Sequence, residues 1–131
     1  MAGFSDYLED KVLDHVFGGT AYTAPGTLYV ALYTSAPSDT GGGTEVSGGS
    51  YARKSMAAMT VSGTSPTTAT NGAAVEFVTA TGTWGTVTHV GVFDAATSGN
   101  LMAWAALTAS KAVSSGDFFR FDAGDLDITL A

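Results

Sequence analysis

The segment that most constrains the fold runs from Trp84 to Leu107, WGTVTHVGVFDAATSGNLMAWAAL. Two apolar runs flank one small-residue loop, almost without charge. Residues alternate from Val87 to Asp94, with Val90 and Val92 on one side and His89 and Phe93 on the other. The loop Ala95–Asn100 contains Gly99, and an apolar segment resumes over Leu101–Leu107. Two such runs around a short Gly-containing loop predict an antiparallel hairpin. With so little polar surface, that hairpin must be covered on at least one face. The chain is therefore built around packed β structure.

Further strands follow from the same alternation. Thr27–Thr34, after the turn signal Pro25-Gly26, puts Leu28, Val30 and Leu32 on one face and Tyr29, Ala31 and Tyr33 on the other. Tyr51–Val61 is a strand region of mixed character, carrying Arg53 and Lys54. Ala74–Ala80 opposes Val75 and Phe77 to Glu76 and Val78. Lys111–Val113 reads as a short piece, Phe118–Phe121 as a strand, and Leu126–Leu130 closes the chain with Leu126, Ile128 and Leu130 on one face. Residues 35–50 and 62–72, rich in Gly, Ser, Thr and Pro, read as long loops. The one helix expected is Ser5–Phe17. Ser5 caps it, and Asp6, Glu9 and Asp10 sit where the helix dipole favours negative charge. Leu8, Val12, Leu13, Val16 and Phe17 form one apolar stripe, and Gly18-Gly19 supplies the stop. Short strands at roughly ten-residue spacing predict a mainly β fold. The expected form is an antiparallel β-sandwich of jelly-roll type with one N-terminal α-helix. At 131 residues one domain is expected over 1–131, with the β core over about 27–131.

Composition narrows the function classes. There is no cysteine, which removes disulfides and Cys-based zinc sites. No apolar run approaches the roughly 18 residues of a membrane span, and no signal peptide is read at the start, so synthesis and folding in the cytosol are expected. Twelve acidic residues oppose five scattered basic ones, for a net charge of −7. A phosphate-backbone binder needs clustered cations, so neither nucleic acid nor an anionic membrane is an expected partner. Charged residues are only 13% of the chain. A sparsely charged Thr/Gly-rich β protein fits an assembly in which neighbours cover its surface.

No catalytic constellation is legible. His15 lies on the helix and His89 in a strand, with no ligand-pair spacing, and no serine sits in a strand-to-helix elbow. Asp117, Asp122, Asp125 and Asp127 cluster near the C-terminus; oxygen-rich loops hold calcium, but Asp is also a common turn residue, and turns are the favoured reading. Gly41-Gly42-Gly43 and Gly48-Gly49 lack the lysine of a phosphate loop. The reading is non-enzymatic, with no cofactor and no metal. For interaction, aromatic and Met side chains enrich interface cores. Tyr29 and Tyr33 on one strand face, with Met102 and Trp104 in the hairpin, are the candidate interface, and a homo-oligomer, dimer or trimer, is expected.

Four stretches then carry a resemblance: FSDYLEDKVLDHVFGGTAYTAPGTLYVALYTSAP, GGGTEVSGGSYARK, WGTVTHVGVFDAATSGNL and GDFFRFDAGDLDITL. Together, over nearly the whole chain, they resemble a family of small virion structural proteins of tailed bacteriophages, often labelled tail fibre proteins. The resemblance implies a structural role in the virion and transfers no active-site residue. Two roles follow. One compact domain without repeats or heptads favours a capsid cement or decoration protein that binds the major capsid protein and bridges coat subunits. The alternative is a tail fibre, tail-tip or baseplate component that contacts other tail proteins in host attachment.

Overall fold

The structure is a computed structural model and describes residues 3–130. It begins with β1 (Gly3–Phe4) and α1 (Asp6–Leu13), which runs on into a π-helical turn over Asp14–Gly18. There follow β2 (Leu28–Ser35), β3 (Thr44–Glu45), β4 (Lys54–Met56), β5 (Thr60–Ser62), β6 (Thr67–Thr70) and β7 (Val75–Glu76). The last elements are β8 (Gly85–Phe93), β9 (Leu101–Val113), β10 (Arg120–Phe121) and β11 (Asp127–Leu130). The fold is mainly β, with one N-terminal helix, and every strand pair described is antiparallel.

The main sheet has the order β1-β9-β8-β2-β3, and β4 also pairs with β2; β5-β6-β11 and β7-β10 form smaller sheets. The β8–β9 hairpin sits at its centre, as the alternation predicts. Register explains the two faces. Val30 lies opposite Val92 and Leu32 opposite Val90, and these continue to Ala103 and Ala105 of β9. That face packs on Val75, Phe77, Trp84, Phe119, Phe121 and Leu126, so the two layers enclose one apolar core. Its aromatic rings interlock: Phe77 meets Phe119 edge-on at 6.2 Å between centroids, Tyr51 meets Trp84 edge-on at 5.4 Å, and Tyr51 stacks on Phe77 at 6.2 Å. The Trp84 indole N–H donates to the Gly49 carbonyl at 2.9 Å. Gly49 has φ +55°, and a Cβ there would lie 2.8 Å from the Gly82 carbonyl oxygen, so only glycine brings this loop onto the tryptophan.

Several elements differ from their sequence reading. The helix is α only to Leu13, and Gly19, at φ +77°, ends the π turn by donating its N–H to the Asp14 carbonyl. Its apolar stripe is not core: no residue of α1 or of the π turn is buried. The reason is where the helix is tethered. The Ser5 hydroxyl accepts from the Leu8 N–H and donates to the Leu101 carbonyl, while the Ser5 N–H donates to Met102. These bonds hold the N-terminal end on β9, while the core face of the sheet is already covered by the β7–β10 layer.

β9 continues to Val113 and absorbs the piece at 111–113. Val87 opposes Lys111 and His89 opposes Ala106, so residues 107–110 of β9 bulge out opposite the single residue Thr88. The expected loop at 62–72 contains β6, because Thr67–Thr70 is β-favouring and pairs on both sides, with β5 and β11. The 35–50 loop contains β3 and an isolated Ser38–Gly41 bridge. The mixed strand at 51–61 divides into β4 and the start of β5, and of Phe118–Phe121 only β10 pairs. Asn71, a loop residue by its sequence, is buried and makes four hydrogen bonds. Its amide nitrogen donates to the Ala73 and Asp122 carbonyls, and its side-chain oxygen accepts from the Gly124 and Leu126 N–H groups.

Candidate functional site

The second face of the main sheet carries the residues singled out for interaction. Alternation puts Tyr29, Ala31 and Tyr33 of β2 on it, opposite Phe93, Gly91 and His89 of β8. Tyr33 and Phe93 stack at 6.5 Å, and Leu101 joins them. Gly91 makes room for this cluster, since a Cβ there would meet the Leu101 and Tyr33 side chains at 3.0 Å each. Of the four candidates, Tyr33 and Met102 are buried within the chain, at 4% and 5% exposure. Tyr29 and Trp104 pack on the cluster and keep part of their surface in solvent. The Trp104 indole N–H donates to Asp39 Oδ1 at 2.9 Å, which ties β9 to the Ser38–Gly41 turn.

One edge of this face is locked by a residue the sequence reading passed over. Arg53 forms a two-point ion pair with Glu45, Nε to Oε2 and Nη2 to Oε1, each at 2.9 Å. Its guanidinium lies 3.6 Å from the Phe93 ring centroid, and Nη1 donates to the Ala95 and Ser98 carbonyls of the hairpin loop. Burial alone would lower the Arg53 pKa, but the Glu45 hydrogen bonds and charge outweigh it and raise the value. The Tyr51 hydroxyl donates to Glu45 Oε2 and accepts from the Leu32 N–H. An Arg beside a Lys in a mixed segment reads as solvated charge. Only the pairing of β2 with both β3 and β4 brings Glu45, Tyr51 and Arg53 together.

Beside this network lies a cleft of about 420 Å³ between the start of α1, the Asp39–Gly42 turn and the hairpin tip. Tyr33 and Phe93 contribute to its wall, with Asp39 and Asn100. Tyr33 titrates as a buried phenol. Burial first, and the Glu45 carboxylate second, push its pKa up to about 12, against an opposing contribution from Arg53. Burial also raises Tyr51. The unfolded chain ionises tyrosine near pH 10. Between pH 10 and about 12 the unfolded state therefore gives up protons that the folded state keeps, and stability falls as pH rises through that window. Urea midpoints at about pH 9 and about pH 11 should differ in that direction, and Tyr33→Phe should reduce the difference while Tyr51 keeps the remainder. Equal midpoints for the natural chain would contradict the burial of both phenols.

The other surface feature is apolar. Leu13, Val16 and Phe17 are 58%, 61% and 82% exposed, and Leu130 of β11 is 55% exposed. Leu13, Phe17 and Leu130, with Phe4 and Val12, line a groove of about 450 Å³ whose polar members are Glu9 and Thr129. Monomeric surfaces rarely leave such residues contiguous without a use. The stripe was legible in the sequence, but its period says only that the residues share a face, not what covers them.

The histidines and the C-terminal carboxylates have local roles. His15 Nδ1 accepts from the Tyr22 N–H, and His89 Nδ1 hydrogen-bonds the Thr88 hydroxyl. Asp117 accepts from the Ser114 N–H and Asp125 from the Asp122 N–H, which is turn chemistry. Arg120 bonds Asp122 and Glu76. Among the described residues no group of three or more His, Asp or Glu side chains is placed to hold a metal, and no helix is long and apolar enough to cross a membrane.

Compared with known proteins, the chain matches over residues 3–129 the model of a family described as Podophage GP4 fiber I protein gp80. No curated protein matches it.

Proposed function

The chain belongs to this podophage fibre family, and from that premise we propose that it is a component of the tail fibres of a tailed phage. It is a structural protein of the phage virion, assembled into the particle after synthesis in the host cytoplasm, and it contacts other virion proteins there. The single observation that carries the tail reading is the match over nearly the full length to a family described as a fibre protein. It favours the tail alternative over the capsid cement role that compact size and the lack of repeats suggested. We read the protein as non-enzymatic and as one β domain that acts by binding. Self-association as a dimer or trimer belongs to the same proposal; of the four residues chosen from the sequence, Tyr29 and Trp104 are those with surface left to contribute.

The test is electron microscopy of particles carrying a gold-labelled copy of this protein. Label confined to the tail is the expected result. Label spread over the shell, with the high copy number of a coat-associated protein on a stained gel, would overturn the tail reading in favour of cement.

A further inference from the structure

We infer that the groove between α1, its π turn and β11 is the attachment site for an apolar segment of a different virion protein, flanked by Lys or Arg. The inference deepens the proposed role and rests on its premise that the chain is built into a particle. Two observations carry it. The first is the groove itself, in which Leu13 and Phe17 stand more than half exposed beside Phe4, Val12 and Leu130 on the side of the helix that the sheet leaves uncovered. The second is the charge around it. Glu9 lies in the groove wall, and Asp10 and Asp14 stand on the same helix and π turn against one lysine, Lys11, while Asp6 lines the other cleft. Lys11 does not balance them, because it pairs with Asp10 at 3.7 Å and lies over the Tyr7 ring. An occupant therefore needs apolar side chains for the groove and cations for its rim.

The same charges argue against a second copy as the occupant. The chain has five basic residues besides its two histidines. Arg53 is bound by Glu45, Arg120 by Glu76 and Asp122, Lys11 by Asp10, and Lys111 donates to the Phe118 carbonyl over the Phe118 and Phe119 rings. Among the described residues, Lys54 is the one cation left without such a contact. Two copies meeting groove to groove would bring their Glu9 carboxylates, and the helices that carry Asp10 and Asp14, together.

The experiment uses phage particles produced with the full chain. The double variant L13D/F17D replaces two exposed residues, so it should fold with an unchanged circular dichroism spectrum. Its amount on purified particles should fall by about tenfold or more, as loss of a central apolar contact does at interfaces. Asp10→Lys with Asp14→Lys should lower incorporation too, whereas Val78→Asp, at an exposed apolar position elsewhere, should leave it unchanged. A photocrosslinking residue at position 13 should capture, in the particle, an apolar peptide flanked by Lys or Arg from another virion protein. Normal incorporation of folded L13D/F17D, equal loss in Val78→Asp, or a crosslink to the chain itself or to an acid-flanked peptide would each overturn the inference. Gold label on the shell together with the expected crosslink would remove the tail reading and leave this site standing.

Discussion

Replacing Asn71 with Ala should destabilise the fold by about 3 kcal/mol, lowering the thermal midpoint by roughly 10 °C. The side chain is 2% exposed and uses all four of its hydrogen-bonding positions. Two donors close the Ala73 and Asp122 carbonyls, and one oxygen closes the Gly124 and Leu126 N–H groups. Removing the amide takes that partner from four backbone groups; the Gly124 N–H keeps the Asn71 main-chain carbonyl and the Asp122 carbonyl keeps the Asp125 N–H, whereas the Leu126 N–H loses its partner in a buried position. The cost of an unpaired buried group, about 1–3 kcal/mol each, exceeds the net gain of about 1 kcal/mol from making one bond. Some groups will find water, which keeps the total below the sum. Asn71→Asp separates the two halves: it keeps the acceptors for Gly124 and Leu126 but faces two carbonyls with an oxygen where the amide donated. It should recover stability at low pH, where a protonated carboxyl supplies one donor, and lose it as pH rises. Thermal and urea unfolding of both variants check this. A loss under about 1 kcal/mol for Asn71→Ala would mean the 122–126 turn holds without its clamp.

Asn71 also shows where sequence reading stops. A lone Asn in a Thr/Gly-rich stretch signals a turn, and nothing local says that a second turn more than fifty residues away will close around it. The alternating segments were legible for the opposite reason. In Thr27–Thr34 and Val90–Phe93 a period of two separates the two faces as observed, Val30, Leu32, Val90 and Val92 in one cluster and Ala31, Tyr33 and Phe93 in the other, although both faces are buried. The strands expected at 74–80 and 118–121 are present but shorter: only Val75–Glu76 and Arg120–Phe121 pair, because each has the other as its one partner over two residues. The helix was legible as a helix because Ser5 and the stripe are local signals, but its exposure depends on where the rest of the chain already covers the sheet. The aromatic candidates divide on the same line: Tyr33 and Met102 face chain and Tyr29 and Trp104 face partly outward, a difference set by the loops that fold over β2 and β9.

Arg53→Ala should cost about 2–4 kcal/mol and loosen the hairpin tip, because one side chain joins β3 to the end of β8 and the loop that follows it. Its head is 8% exposed, pairs with a Glu45 that is only partly exposed, covers the Phe93 ring and holds the carbonyls of Ala95 and Ser98. Truncation leaves the Glu45 carboxylate with only the Tyr51 hydroxyl, uncovers the Phe93–Tyr33 stack, and frees the loop that forms one wall of the cleft. Arg53→Lys should restore less than half of the loss. An ammonium cannot span both oxygens of Glu45 while lying flat on the ring and reaching two carbonyls. A double-mutant cycle with Glu45→Gln should give a coupling of about 1 kcal/mol or more, well above the usual exposed ion pair. Hydrogen exchange supplies the local readout. The Asp94 and Asn100 amides, which close the tip by bonding the Asn100 carbonyl and Asp94 Oδ1, should exchange faster in Arg53→Ala while the β8–β9 amides below Gly91 change only with global stability. If lysine restores both stability and tip protection, the charge alone is sufficient and the forked geometry is not what holds this edge of the sheet.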